Sequence, residues 1–196
     1  MHRERSHHRD RQEAARWSSE REPFLALAAT PVPSASGARN GSDLVSIRIL
    51  AIGKRHEPWV DGGIARYEKR LRKPFDASWL LLPHSSREGD AARSEESERV
   101  LGKIGAGEFL VLLDERGKNV DSPRLARTLQ AAFDAGRQVS LVIGGAYGVD
   151  DRVRQRADFV WSLSQLVFPH QLVRLIVAEQ LYRAQEIAGG RPYHHV

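Results

Sequence analysis

The chain has 196 residues, enough for one substantial domain, with 28% charged and 41% hydrophobic residues, as in a soluble globular protein. It contains no cysteine, which excludes a disulfide framework and any thiolate nucleophile or thiolate metal site. No apolar run reaches the roughly 18 residues of a membrane span, and the N-terminus lacks the apolar core of a secretory signal, so a cytoplasmic protein is expected. The formal net charge of +5 favours a polyanionic partner without specifying one.

Residues 1–44 mix charge of both signs with Pro, Ser, Gly and Ala and show little hydrophobic periodicity. They read as a disordered extension; an RNA-contacting tail and a true start at Val45 are the alternatives. The remainder, 45–196, carries +4 of the net charge, because the extension holds seven basic and six acidic residues. Ser46 to Ile52 reads as a first strand, with β-branched Ile47, Ile49 and Ile52. Pro58 suits the first turn of a helix running to about Arg72, against the weakening effect of Gly62 and Gly63. Trp79 to Leu82 forms a second strand stopped by Pro83. A polar loop over His84 to Arg93 and a charged helix over Ser94 to Ile104 follow.

Phe109 to Leu113 (FLVLL) is a continuous apolar run, the pattern of a strand buried on both faces. It ends in Asp114 and a loop, ERGKNVDS. Ser122 is expected to cap a helix that starts with Pro123 and reaches about Phe133, with Gly136 ending it. Val139 to Ile143 is the next buried strand, followed by GGAYG, a short helix from about Asp151, a strand over Phe159 to Ser162, and a long helix from about His170 to Ile187. Strands alternating with helices indicate an α/β fold with a largely parallel sheet flanked by helices.

In such sheets ligands sit beyond the carboxyl ends of the strands. Gly144, Gly145 and Gly148 follow one strand and let the backbone approach a ligand, as they would also serve a plain turn. Their spacing is neither G-x-G-x-x-G nor a P-loop, which disfavours a nucleotide-dependent oxidoreductase. The loop Leu163 to Phe168 (LSQLVF) is apolar where turns are usually polar. It could wall an adenine, pack under a neighbouring subunit, or do both. His170 opens the long helix, whose positive end disfavours an imidazolium; a hydrogen-bonding neutral His and a structural His are both open. Arg174 has Gln171, Val177, His170 and Ala178 as its helix neighbours, none acidic, so it calls for an anionic partner from elsewhere. The helix is apolar nearly all round, which suggests a homodimer interface. The tail GGRPYHHV offers Tyr193, His194 and His195. Adjacent histidines are poor ligands for one ion, so a metal site is rejected in favour of RNA contact or closure of the site.

With IGGAYG, SLSQLVFPHQLVR, EQLYRA and PYHH in place, and with VSIRILAIGK and the LDERGK loop before them, the chain from Val45 to Val196 resembles the ribosomal RNA large-subunit methyltransferase H family, small SPOUT (α/β-knot) methyltransferases. The resemblance implies an α/β domain with a deep C-terminal trefoil knot, a homodimer, and S-adenosylmethionine as methyl donor. The implied substrate is N3 of a pseudouridine in helix 69 of 23S rRNA, on the assembled 70S ribosome. Cofactor positions carry over onto Leu113, Gly144, Leu163, Ser164, Gln165, Leu166, Val167 and Phe168. N3 is an imide nitrogen that must lose its proton, so Arg174 is expected to stabilise the base or its phosphate, with His170, Tyr193 and His194 handling protons or orientation. No metal is expected. The rival readings are a SPOUT enzyme acting on tRNA and a non-catalytic ribosome-binding protein.

Overall fold

The computed structural model describes residues 45–193. The extension read as disordered, and His194, lie outside the described residues. Among the described residues five strands and five helices alternate: β1 (Ile47–Ile52), α1 (Pro58–Glu68), β2 (Ala77–Leu82), α2 (Gly89–Leu101), β3 (Phe109–Asn119), α3 (Ser122–Asp134), β4 (Val139–Ile143), α4 (Asp151–Arg156), β5 (Phe159–Ser162) and α5 (His170–Ala188). The strands form one sheet in the order β2-β1-β4-β3-β5, with all four pairings parallel. The α/β fold with a parallel sheet is therefore observed.

The sheet is central because its strands are apolar on both faces. Ile47, Ile49, Val111, Leu141 and Trp161 pack on one side with Leu125 and Leu129 of α3 and Val177 and Leu181 of α5. Leu50, Leu110, Leu112 and Val142 pack on the other with Val100 of α2 and Val153 of α4. These alternate positions follow the period-2 geometry of a strand. α1 lies against α5 through Val60, Ile64 and Ala178. Gly63, which weakened the helix on propensity, is explained here: a Cβ on it would come 2.7 Å from Leu175 Cδ1. The helix keeps its glycine so that α5 can approach.

α1 ends at Glu68 rather than about Arg72, and β2 begins at Ala77 rather than Trp79; three further differences from expectation have local reasons. α2 starts at Gly89 rather than Ser94 and stops at Leu101, since Ala92 and Val100 need the helix to bury them. α3 is capped by Asp121, whose side chain accepts a hydrogen bond from the Arg124 N–H, and Ser122 is its first helical residue. The segment after Leu113 is strand rather than free loop. β3 resumes its pairing with β5 at Lys118 and Asn119, both sides of the irregularity facing Trp161. Gly117 makes this possible, for a Cβ there would meet Val160 O at 2.7 Å and Ser162 N at 2.9 Å.

Candidate active site

The strand order places the carboxyl ends of β4, β3 and β5 side by side. Beyond them opens a cleft of about 400 Å³. Leu113, Asp114, Glu115 and Arg116 line it from β3, Ile143 to Val149 from β4, and Trp161, Leu163, Ser164, Leu166, Val167 and Phe168 from β5 and its loop. His170 and Val173 of α5 complete the wall. In the glycine loop the Gly148 N–H donates to Gly145 O at 2.9 Å, with Gly148 at φ +70°. A Cβ on Gly144 would lie 3.2 Å from the Gly148 carbonyl carbon, so the turn closes because these residues lack side chains.

Asp114 brings a carboxylate into this wall. Arg154 Nη2 donates to its Oδ2 at 2.7 Å, and the Arg116 backbone N–H donates to Oδ1 at 2.9 Å. Burial alone would raise the Asp114 carboxyl, but the hydrogen bonds from Arg116 and the Arg154 charge hold it net below its ordinary value. It faces the cleft as an anion.

A second group of polar side chains gathers beside the cleft, at the ends of β1 and β2. Arg174 is 2% exposed and donates to the carbonyls of Ile52 (2.8 Å) and Arg55 (3.0 Å). Its Nη1 is 3.3 Å from His56 Nδ1; as an arginine can only donate, His56 offers that nitrogen as an acceptor. Burial first, then the Arg174 charge, lowers the His56 pKa, opposed by Asp61. His170 is lowered by the same two causes and by His84, with Glu96 opposing. Glu96 of α2 is 4% exposed. Its Oε1 accepts from the Ser85 N–H at 2.9 Å and lies 3.8 Å from His84 Nδ1.

Of the residues singled out in the sequence, Leu113, Gly144, Leu163, Ser164, Leu166, Val167, Phe168 and His170 share one cleft wall. Gln165 is exposed in the same loop without lining the cleft. Arg174 does not line it either. Its expected anionic partner is replaced by two backbone carbonyls and an imidazole, which meet both Nη atoms through strong hydrogen bonds from a charged donor, while Nε is buried with no hydrogen-bond partner among the described residues. Tyr193 is also elsewhere. It packs edge-on against Tyr182 at 4.8 Å, lies under the Arg183 guanidinium, and its hydroxyl is 3.4 Å from Glu179 Oε1, well along α5 from His170. Burial and Glu179 raise its pKa, so it stays a phenol. Sequence reasoning missed Asp114, Trp161, His84 and Glu96. Asp114 and Trp161 were readable as strand-end residues, whereas nothing in a charged helix marks Glu96 for burial.

Residues 45–194 match the family model described as "Predicted SPOUT methyltransferase". The ribosomal RNA large subunit methyltransferase H of Thioalkalivibrio sulfidiphilus is 41% identical over 152 residues, 76% of this chain and 97% of that protein. The chain belongs to this methyltransferase family. Similar relatives carry the same name in Acetivibrio thermocellus (41% over 156 residues, 76% and 98% coverage) and Geotalea daltonii (42% over 153 residues, 76% and 99%). Among solved structures, a probable methylase family protein from Haemophilus influenzae Rd KW20 aligns with a TM-score of 0.47 at 12% identity, covering 78% of this chain and 72% of that one. The family-model match takes in every cleft-lining segment, from the end of β3 through the glycine loop to the start of α5. Among the described residues no helix is long and apolar enough to cross a membrane, and no group of His, Asp and Glu is arranged to hold a metal.

Proposed function

We propose that this protein is an S-adenosylmethionine-dependent methyltransferase of the cytoplasm that modifies N3 of a pseudouridine in helix 69 of 23S rRNA, on the assembled 70S ribosome. In this reading residues 45–196 form the catalytic domain, with the family's C-terminal trefoil knot around the cleft. The observation that carries it is the convergence of Leu113, Gly144 and the 163–168 loop on one cleft in a chain of this family.

The cleft suits the cofactor. Leu163, Leu166, Val167 and Phe168 offer an apolar slot for a purine. The crowding at Gly144 leaves room only for backbone there, so peptide groups are free to meet polar edges. Asp114 supplies a fixed carboxylate for a hydroxyl or a cationic centre. When bound, the cofactor supplies a methyl group already activated on a sulfonium, so no metal is called for.

What remains for the chain is to hold the base and take its proton. A neutral His170 at the cleft wall can accept the N3 proton at a ring nitrogen, the state favoured by its desolvation and by Arg174. Arg174 fixes the 53–56 loop and adds positive potential behind the site, which favours the anionic form of the base without touching it. It is a positioning residue. The +5 charge suits the rRNA backbone.

A homodimer belongs to the same reading. Leu166 and Val167 are 69% and 83% exposed, and Leu172 and Ile176, one turn apart on α5, remain partly open. Replacing Leu172 and Ile176 together by Asp is expected to give monomers by sedimentation velocity; an unchanged dimer places the interface elsewhere. The function itself is tested by incubating the protein with methyl-labelled S-adenosylmethionine and unmodified ribosomes, 70S and free 50S in parallel. Label in helix 69, mainly in 70S, is the expected result. Label in tRNA, or binding without transfer, would overturn the substrate.

A further inference from the structure

Glu96 is a buried carboxylate with an oxygen to spare. At 4% exposure on α2, it uses Oε1 for the Ser85 N–H, while Oε2 is buried with no hydrogen-bond partner among the described residues. A buried, half-satisfied carboxylate is costly, and an apolar residue would fill the space more cheaply. The oxygen lies against the glycine loop: a Cβ placed on Gly145 would run into Glu96 Oε2. The next residue, Ser97, is fully buried and its hydroxyl accepts from the Asp150 N–H at 2.9 Å, so α2 grips the loop at both ends. Gly145 and His170 share the cleft wall.

The surroundings of His170 explain what such a charge is for. An imidazole that takes a proton becomes a cation, and here it would do so at a helix N-terminus, with Arg174 and His84 both acting against the charge. Each of these opposes the cation. Glu96 is the group that opposes them, from the other side of the glycine loop, with His84 Nδ1 3.8 Å from its Oε1.

We propose that Glu96 is a positioning residue of the methyl-transfer site, its carboxylate held against Gly145 as the counter-charge that lets His170 take the proton from the base nitrogen. This rests on the function proposed above. In the step, the N3–H bond breaks, its electron pair stays on N3, and the proton is held on the His170 ring nitrogen, stabilised across the loop by Glu96. The charged and titratable groups that act on this proton are Arg174 from α5, His84 from the loop after β2 and Glu96 from α2; His84 Nδ1 lies 3.8 Å from the same carboxylate.

The test is Glu96→Gln, with Glu96→Asp as the charge-retaining variant, each first compared with the natural protein by thermal melting. Histidine titrations followed by NMR need no substrate. Removal of the negative charge is expected to lower the His170 pKa in the Gln variant, with Asp restoring most of it. In methyl transfer the acid limb should move to lower pH and the plateau kcat should fall about tenfold or more, since general-base contributions of this kind are worth about 10²-fold or more in full. S-adenosylmethionine affinity, read by calorimetry, should hold. A His170 titration identical in Glu96→Gln and natural protein overturns the proposal, as does a loss of cofactor affinity equal to the loss of rate. If the natural protein methylates no ribosome, the substrate reading fails, and the NMR titration still decides whether Glu96 and His170 are coupled.

Discussion

The carboxyl edge of the sheet divides into two unlike halves. Over β4, β3 and β5 it is a cleft with apolar walls and a loop of bare backbone, entered by one well-anchored carboxylate, Asp114. Over β2 and β1 it is charged and crowded, with Arg174, His56, His84 and Glu96 within reach of one another. The first half is suited to hold a flat, partly apolar ligand by shape. The second sets an electrostatic field and offers little room. The glycine loop and His170 belong to both, which is why reactivity would be expected where they meet.

The most disruptive way to break this division is at the shared loop. Gly145→Val puts branched carbon where Glu96 Oε2 and Ile52 Cγ2 already lie, the latter 3.2 Å from the first added atom. Overpacking costs about 1–3 kcal/mol where neighbours must move, and here both halves must give way. Cofactor binding and methyl transfer should fall together, each by about 100-fold or more, a loss that about 3 kcal/mol accounts for. Calorimetry showing intact binding with lost transfer would mean that the loop serves the charged half alone.

Arg174→Ala should separate the halves. The guanidinium supports the Ile52 and Arg55 carbonyls and lies outside the cleft. Its removal leaves those acceptors without their donor, at a cost of about 1–3 kcal/mol in stability. It also withdraws the positive potential; because the guanidinium acts from outside the cleft, kcat should fall by about tenfold, less than the roughly 10²-fold or more lost when a donor in direct contact is removed. Cofactor affinity should hardly change. Equal losses of affinity and rate would show that Arg174 supports the cleft itself.

The two halves were not equally legible in the sequence. The cleft half follows from continuous apolar strands ending in glycine or in an apolar loop, features that local sequence carries; β4 and β5 have their expected ends at Val139, Ile143, Phe159 and Ser162. The charged half is assembled from separate segments. Arg174 was identifiable as unpaired along its helix, but its partners are backbone carbonyls more than a hundred positions away. Glu96 sits in SEESER, a run that reads as solvated, and only the packing of α2 against the glycine loop buries it. The pairing of Lys118 and Asn119 with β5 was hidden for a similar reason, since the polar segment after Leu113 looks like a loop until Gly117 is seen touching Val160.

The smallest expected effect is in the pH dependence of stability, where each half has its own window. His56 and His170 both have folded pKa values lowered from the ordinary 6.5, by desolvation first and then by Arg174. The unfolded chain therefore binds protons more readily near pH 6.5, so their contribution is complete above that pH and is lost as pH falls through the folded values. Asp114 is lowered from 3.8, the hydrogen bonds from Arg116 and the charge of Arg154 outweighing burial. Its contribution is complete above pH 3.8 and disappears only as pH falls further. Melting temperature should thus decline in two separate stages on acidification. His56→Gln should make the upper stage shallower, leaving the share of His170, and Asp114→Asn should make the lower one shallower, leaving the shares of Glu95 and Glu186. If either substitution flattens both stages, the two halves of the edge titrate as one network, and the separation of binding from reactivity that their geometry suggests does not hold.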